Sequence, residues 1–161
     1  MQWKYIQIGD YIKVEQDGFF PADMVVVKST EDEGVCYVET KNLDGETNLK
    51  NKNVPKELWT KFDPAHEGIA HFDASLNFEG PNNFIYKFDG RIETSADQII
   101  PLGNENIVLR GMSLRNTEYV LGIVVYTGHD TKIQMNTTKS DYKVSKMMKL
   151  TNSVILLIFV L

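Results

Sequence analysis

Apolar and polar residues alternate along much of this chain with a period of two, the spacing that puts successive side chains of a strand on opposite faces of a half-buried sheet. The alternation is clear in YIKVE at 11–15, and the runs at 24–27 and 35–39 are apolar enough to pass through a core. Further strands are predicted at 83–88, 106–110 and 119–126, separated by Asp-Gly and other glycine-containing turns. The N-terminal stretch MQWKYIQIGDYIKVE also alternates, so it reads as strand and lacks the apolar core of a secretory signal. The segment 51–75 breaks the pattern: KELWTKF near Lys56 opens a short helix, and the glycine- and proline-spaced remainder is a variable excursion. Short strands at such spacing predict a mainly β domain, a sandwich or roll, over 1–138.

The pattern changes after that. Ser140 or Asp141 can satisfy the free amides of a helix start, and Val144, Met147, Met148 and Thr151 then follow at helical spacing. They lead into VILLIFVL at 154–161, an unbroken apolar run. Crossing a bilayer takes about 20 apolar residues, so this run alone is either a terminal core element or the first turns of a transmembrane helix. Charge favours the second. Lys139, Lys143, Lys146 and Lys149 precede the run against Asp141 alone, as on the cytoplasmic flank of a membrane segment. The expected organisation is therefore a β domain followed by a stalk and the start of a truncated transmembrane helix over 139–161.

Composition narrows the field. At 161 residues the chain supports one domain with a modest core. The net charge is −5, and setting aside the local excess of three positive charges near the C-terminus leaves about −8 for the body, which argues against a nucleic-acid surface. Cys36 is the single cysteine and sits among Val35, Tyr37 and Val38, as expected of a buried structural thiol. His66 and His71 are five apart with Gly68 between them, whereas a zinc-binding helix needs histidines four apart, so no metal site is expected. His129 has no histidine or cysteine nearby in sequence and reads as structural. Asn136-Thr137-Thr138 fits a glycosylation pattern that stays silent on the cytoplasmic side.

The candidate chemistry lies in CYVETKNLDGETNLK at 36–50, where Asp44-Gly45-Glu46-Thr47 follows a strand-like run. A glycine beside a carboxylate permits a tight turn that pushes the next side chain outward. Glu46 is that side chain, and a positioned carboxylate can orient a water molecule and draw off its proton. Standing alone, the tetrapeptide reads far more readily as an Asp-Gly hairpin turn than as a functional loop. Arg110 and Arg115 in LRGMSLRNT would face opposite sides of one strand, so at most one can share a site with Glu46, and surface hydrogen bonding is the favoured role for both.

Context decides between these readings. The stretch from Gly9 to Lys50, with PAD at 21–23 and DGET at 44–47, resembles the actuator domain of type-IV P-type ATPases, the phospholipid flippases, where ion-pumping relatives carry TGES. FEGPNNFIYKFDG at 78–90, PLG at 101–103, LRGMSLRNT at 109–117 and YTGHDTK at 126–132 extend the resemblance in the same order over nearly the whole chain. Phe78 departs from it, standing where a cysteine is usual. The resemblance implies a distorted jelly-roll actuator on the cytoplasmic side of a multi-pass membrane protein. It implies that Glu46, with Gly45 giving close approach and Asp44 and Thr47 holding the loop, hydrolyses an aspartyl phosphate on the phosphorylation domain of the same protein. It also implies ATP and Mg²⁺ bound by domains absent here, a phospholipid cargo, closest to the aminophospholipids, and an accessory β-subunit. The chain holds no DKTG-type phosphorylation site and no Walker loop, so alone it is not expected to hydrolyse ATP. An ion-transporting relative and a free-standing β-roll binding module are the alternatives.

Overall fold

Every strand pairing among the described residues is antiparallel, and the strand predicted as an unbroken buried run lies in the interior of the largest sheet. The computed structural model describes residues 3–59, 74–95 and 98–137, together with Thr151 and Ile155, both helical. Its strands are β1 (Tyr11–Glu15), β2 (Asp23–Ser29), β3 (Val35–Glu39), β4 (Leu49–Asn53), β5 (Ala74–Phe78), β6 (Gly90–Thr94), β7 (Ile99–Leu102), β8 (Ile107–Val108), β9 (Ser113–Arg115) and β10 (Tyr119–Tyr126). Among the described residues, three short helices with defined bounds accompany them, α1 (Lys41–Asp44), α2 (Lys56–Trp59) and α3 (Lys132–Thr137).

The strands form three sheets, ordered β1-β10-β2-β8, β4-β3-β9 and β5-β6-β7. Flanked by β10 and β8, β2 is buried at every position, which is why it reads as a continuous apolar run without alternation. Its neighbour β10 passes close over it at Gly122, where an added Cβ would meet Met24 Cε at 2.7 Å and Met24 Cβ at 3.1 Å. The register between β10 and β2 slips beside that glycine and again between Val124 and Tyr126, and such slips bend and twist a strand. A shared core joins the sheets: Val25, Val26, Val38, Ile92, Ile100, Leu114 and Val124 are all fully buried. Burying each such side chain is worth about 1.5–3 kcal/mol, against about 0–1 kcal/mol for an exposed ion pair. The apolar contacts therefore hold the sheets together, and the surface charges contribute little.

The mainly β prediction holds, with β1, β3 and β10 at the expected residues, 24–27 inside β2, and a short helix at Lys56. Three strand assignments are corrected. Residues 83–88 form a turn, because Asn82 Oδ1 accepts the Phe84 amide (3.1 Å) and the Lys87 amide bonds Phe84 O (3.3 Å). Those local bonds compete with a ladder, and they leave Phe84 and Tyr86 exposed to solvent. Trp3–Tyr5 is a 3-10 turn. At 106–110 only β8 is strand. The ends of the 51–75 excursion are more regular than expected, since β4 pairs along all of β3 and β5 begins at Ala74. Residues 60–73, with His66 and His71, lie outside the described residues, as does 139–161 apart from Thr151 and Ile155. Among the described residues no helix is long and apolar enough to cross a membrane.

Candidate functional site

The Asp-Gly-Glu-Thr segment sits in the connection from β3 to β4, closed at its base by the Glu39–Leu49 pair. Lys41–Asp44 makes one helical turn, α1, and Gly45 ends it at φ 76°, with its amide on Lys41 O at 3.1 Å. That left-handed conformation suits glycine, which has no Cβ to clash. The chain then reverses so that Asp44 Oδ1 accepts the Glu46 amide at 2.9 Å and the Thr40 hydroxyl at 2.9 Å. Lys50 reaches back from β4 to donate to Asp44 Oδ2 at 2.6 Å and stands 3.1 Å from Glu46 Oε2. The Glu46 side chain is 58% exposed, while that of Asp44 is 17% exposed. One carboxylate is thus built into the loop and the other is presented to solvent. Thr47 is exposed, and the bonds that shape the loop run through Asp44.

The charges follow this geometry. The Lys50 hydrogen bond, helped by the Glu46 amide, holds the Asp44 carboxyl down to about 2, and the same bond raises Lys50 above its ordinary range. At the base of the loop, Arg115 on β9 donates to Glu39 Oε2 through Nη2 (2.8 Å) and Nε (3.1 Å), and its Nη1 pairs with Asp17. The Arg115 hydrogen bond lowers the Glu39 carboxyl. Arg110 instead lies in the turn before β9 and donates to Gly128 O at 3.1 Å. Both arginines make surface hydrogen bonds as expected. They are not on one strand, because a turn at Gly111 (φ 87°) separates them. That turn also lies beside the loop, since Leu43 of α1 packs against the core and would lie 3.6 Å from a Cβ added at Gly111.

The remaining motif residues meet in a second cluster. Asp23, fully buried at the head of β2, accepts the amides of Arg110 and Lys132, each at 2.8 Å. Burial pushes its carboxyl up to about 6, although those amides pull it back. Lys132 opens α3 with a fully buried side chain, and its ammonium donates to Asn82 Oδ1 (2.7 Å) and Glu79 Oε1 (3.2 Å). Burial alone would raise Glu79, but hydrogen bonds from Asn82 and Lys132 outweigh it and leave the carboxyl low. Tyr126 donates its hydroxyl to Glu79 O at 2.6 Å, and burial pushes its phenol up to about 12. One turn further along α3, Asn136 donates to Asn83 O at 2.8 Å. PAD, EGPNN, LRG and YTGHDTK are therefore scaffold: they fasten α3 to the sheets.

Sequence reasoning missed Lys50 and Lys132. The available signal for Lys132 was a cation in a segment otherwise built to turn and pack, and for Lys50 its place four residues after Glu46. Cys36 is fully buried, as expected, and burial pushes its thiol up to about 12. His129 lies exposed in the turn before α3. Among the described residues no group of three His, Cys, Asp or Glu side chains is placed to hold a metal ion.

Comparison with known proteins gives this geometry its setting. No family model matches the chain. Probable phospholipid-transporting ATPase 4 of Arabidopsis thaliana is 46% identical over 160 residues, covering 99% of this chain and 13% of that protein. Phospholipid-transporting ATPase 6 of the same organism is 45% identical over 160 residues, again 99% and 13%. Phospholipid-transporting ATPase VD of Homo sapiens is 40% identical over 157 residues, 96% of this chain and 11% of that protein. The chain spans 11–13% of the length of these curated relatives. Over nearly its whole length the chain is similar to one segment of the phospholipid-transporting ATPases, consistent with a fragment of a type-IV P-type ATPase.

Proposed function

We propose that this chain is the actuator domain of a phospholipid-transporting ATPase and that its Asp-Gly-Glu-Thr loop removes the phosphoryl group from an aspartyl phosphate formed elsewhere in the same protein. The observation that carries this reading is the division of labour in the loop: Asp44 is tied to Thr40, Lys50 and the Glu46 amide, while Glu46 faces outward on a turn that a glycine makes narrow. A group that must act on another domain has to be both fixed and exposed, and this one is both.

In the proposed step Glu46 orients a water molecule against the phosphorus and accepts its proton as the new P–O bond forms. The bond from phosphorus to the aspartyl oxygen breaks, and its electron pair stays on the departing carboxylate. ATP and Mg²⁺ would be held by other domains of the full-length protein, where ATP supplies the phosphoryl group. Swinging the loop onto and off the phosphorylation domain would move α3 with it and drive lipid from the outer to the cytoplasmic leaflet, a rigid-body coupling. The domain would lie on the cytoplasmic side of the membrane, with an accessory β-subunit as a further partner.

Glu46→Gln is the direct test. In a full-length phospholipid-transporting ATPase carrying this segment, the variant should form phosphoenzyme from ATP and then retain it, because an amide cannot take the water's proton. Decay at the wild-type rate would sink the assignment.

A further inference from the structure

We propose that Lys50 is the charge-compensating residue that lets a loop with two carboxylates close on a phosphoryl group. The inference rests on the reading of Glu46 above and deepens it. Asp44 and Glu46 flank Gly45, so bringing Glu46 against an acyl phosphate brings a second negative charge along with it. The repulsion between like charges grows several-fold on passing from water into a partly desolvated contact. A loop built this way needs a cation that travels with it.

Lys50 has the geometry for that. Its one ammonium lies 2.6 Å from Asp44 Oδ2 and 3.1 Å from Glu46 Oε2, so it spans both carboxylates. Its backbone is fixed in the β3–β4 ladder opposite Val38, and the Tyr86 ring lies 5.7 Å from the ammonium. The side chain is 31% exposed, which holds the charge in place and leaves it within reach of an incoming anion. Of its three N–H donors two serve the carboxylates, and the third has no acceptor among the described residues, so it can meet a phosphoryl oxygen. Lys41, the other lysine of the loop, is exposed and acts on Glu39 at the base. Lys50 is thus a positioning residue for Glu46 and an electrostatic partner for the phosphate.

The experiment follows phosphoenzyme decay after a chase, at low and high ionic strength, in a full-length phospholipid-transporting ATPase carrying this segment. Lys50→Gln should form phosphoenzyme to the wild-type level and slow its decay about tenfold, less than the roughly 100-fold or more lost with a fully enclosed donor, because this ammonium is partly exposed. Added salt should narrow that gap, because it screens the exposed repulsion. Lys50→Arg should keep most of the wild-type rate, and Lys41→Gln should decay normally. The proposal is overturned if Lys50→Gln decays at the wild-type rate while Glu46→Gln is blocked. It is equally overturned if the Lys50→Gln defect ignores salt and is shared by Lys50→Arg, since the side chain would then only shape the loop. A Lys50→Gln protein that forms no phosphoenzyme also counts against it, because the charge is needed only after phosphoryl transfer. Normal decay of Glu46→Gln in the same assay would instead remove the reading of Glu46.

Discussion

Asp44 accepts a hydroxyl, a backbone amide and an ammonium at once, and its low pKa of about 2 measures how strongly those donors prefer its charged form. The folded value lies below the ordinary 3.8, so the stabilisation it brings is complete above that pH and is lost as pH falls through about 2. Asp44→Asn keeps acceptors for Thr40 and the Glu46 amide but loses the charge. Its urea midpoint should lie below that of the wild type near neutrality, and the gap should close between about pH 4 and pH 2. A gap constant across that range would place the stabilisation elsewhere. The carboxylates and glycine of this loop were legible in sequence, because Asp-Gly-Glu states its own chemistry. Lys50 was not, since its partnership with both carboxylates exists only once Gly45 has turned the chain back on itself.

A strand is legible when its two faces meet different surroundings, which is why β3 and β10 were found at their full lengths. β4 hid because LKNKN is polar, with only Lys52 buried, and what makes it a strand is the ladder β3 offers. The opposite error occurred at 83–88, where aromatic residues suggested burial but Asn82 folds the backbone into a turn. Gly122 shows how tightly these elements fit. Replacing it with alanine turns the Met24 thioether end aside and pushes Met24 Cβ and the Val25 carbonyl, 3.1 and 3.2 Å from the new methyl, back by a few tenths of an ångström. Overpacking of this kind costs about 1–3 kcal/mol. Gly122→Ala should therefore lower the denaturation midpoint without changing the denaturant slope, and an unchanged midpoint would mean that β2 and β10 separate easily there.

Across the whole molecule, contacts between remote parts of the chain decide which motifs serve as scaffold. Asp23 and Lys132 are 109 residues apart, and Asn82 and Lys132 are 50 apart, so no local pattern could join them. The order of the motifs along the chain was visible, but their convergence was not. Lys132→Met should cost about 2–4 kcal/mol, because it leaves Glu79 and Asn82 facing an apolar side chain in a partly buried place. Chemical denaturation of the variant checks this, and a loss under about 0.5 kcal/mol, the size of an ordinary surface change, would contradict it.

Asp23 at the head of β2 also grips the first amide of α3, and this gives the fold a mechanical direction. A pull along α3 passes through the chain into β10 and, through the Asp23 hydrogen bond, also reaches the opening residue of the neighbouring strand β2. The first turn of α3 is therefore held at two strands of one sheet, to β10 by the chain and to β2 by Asp23.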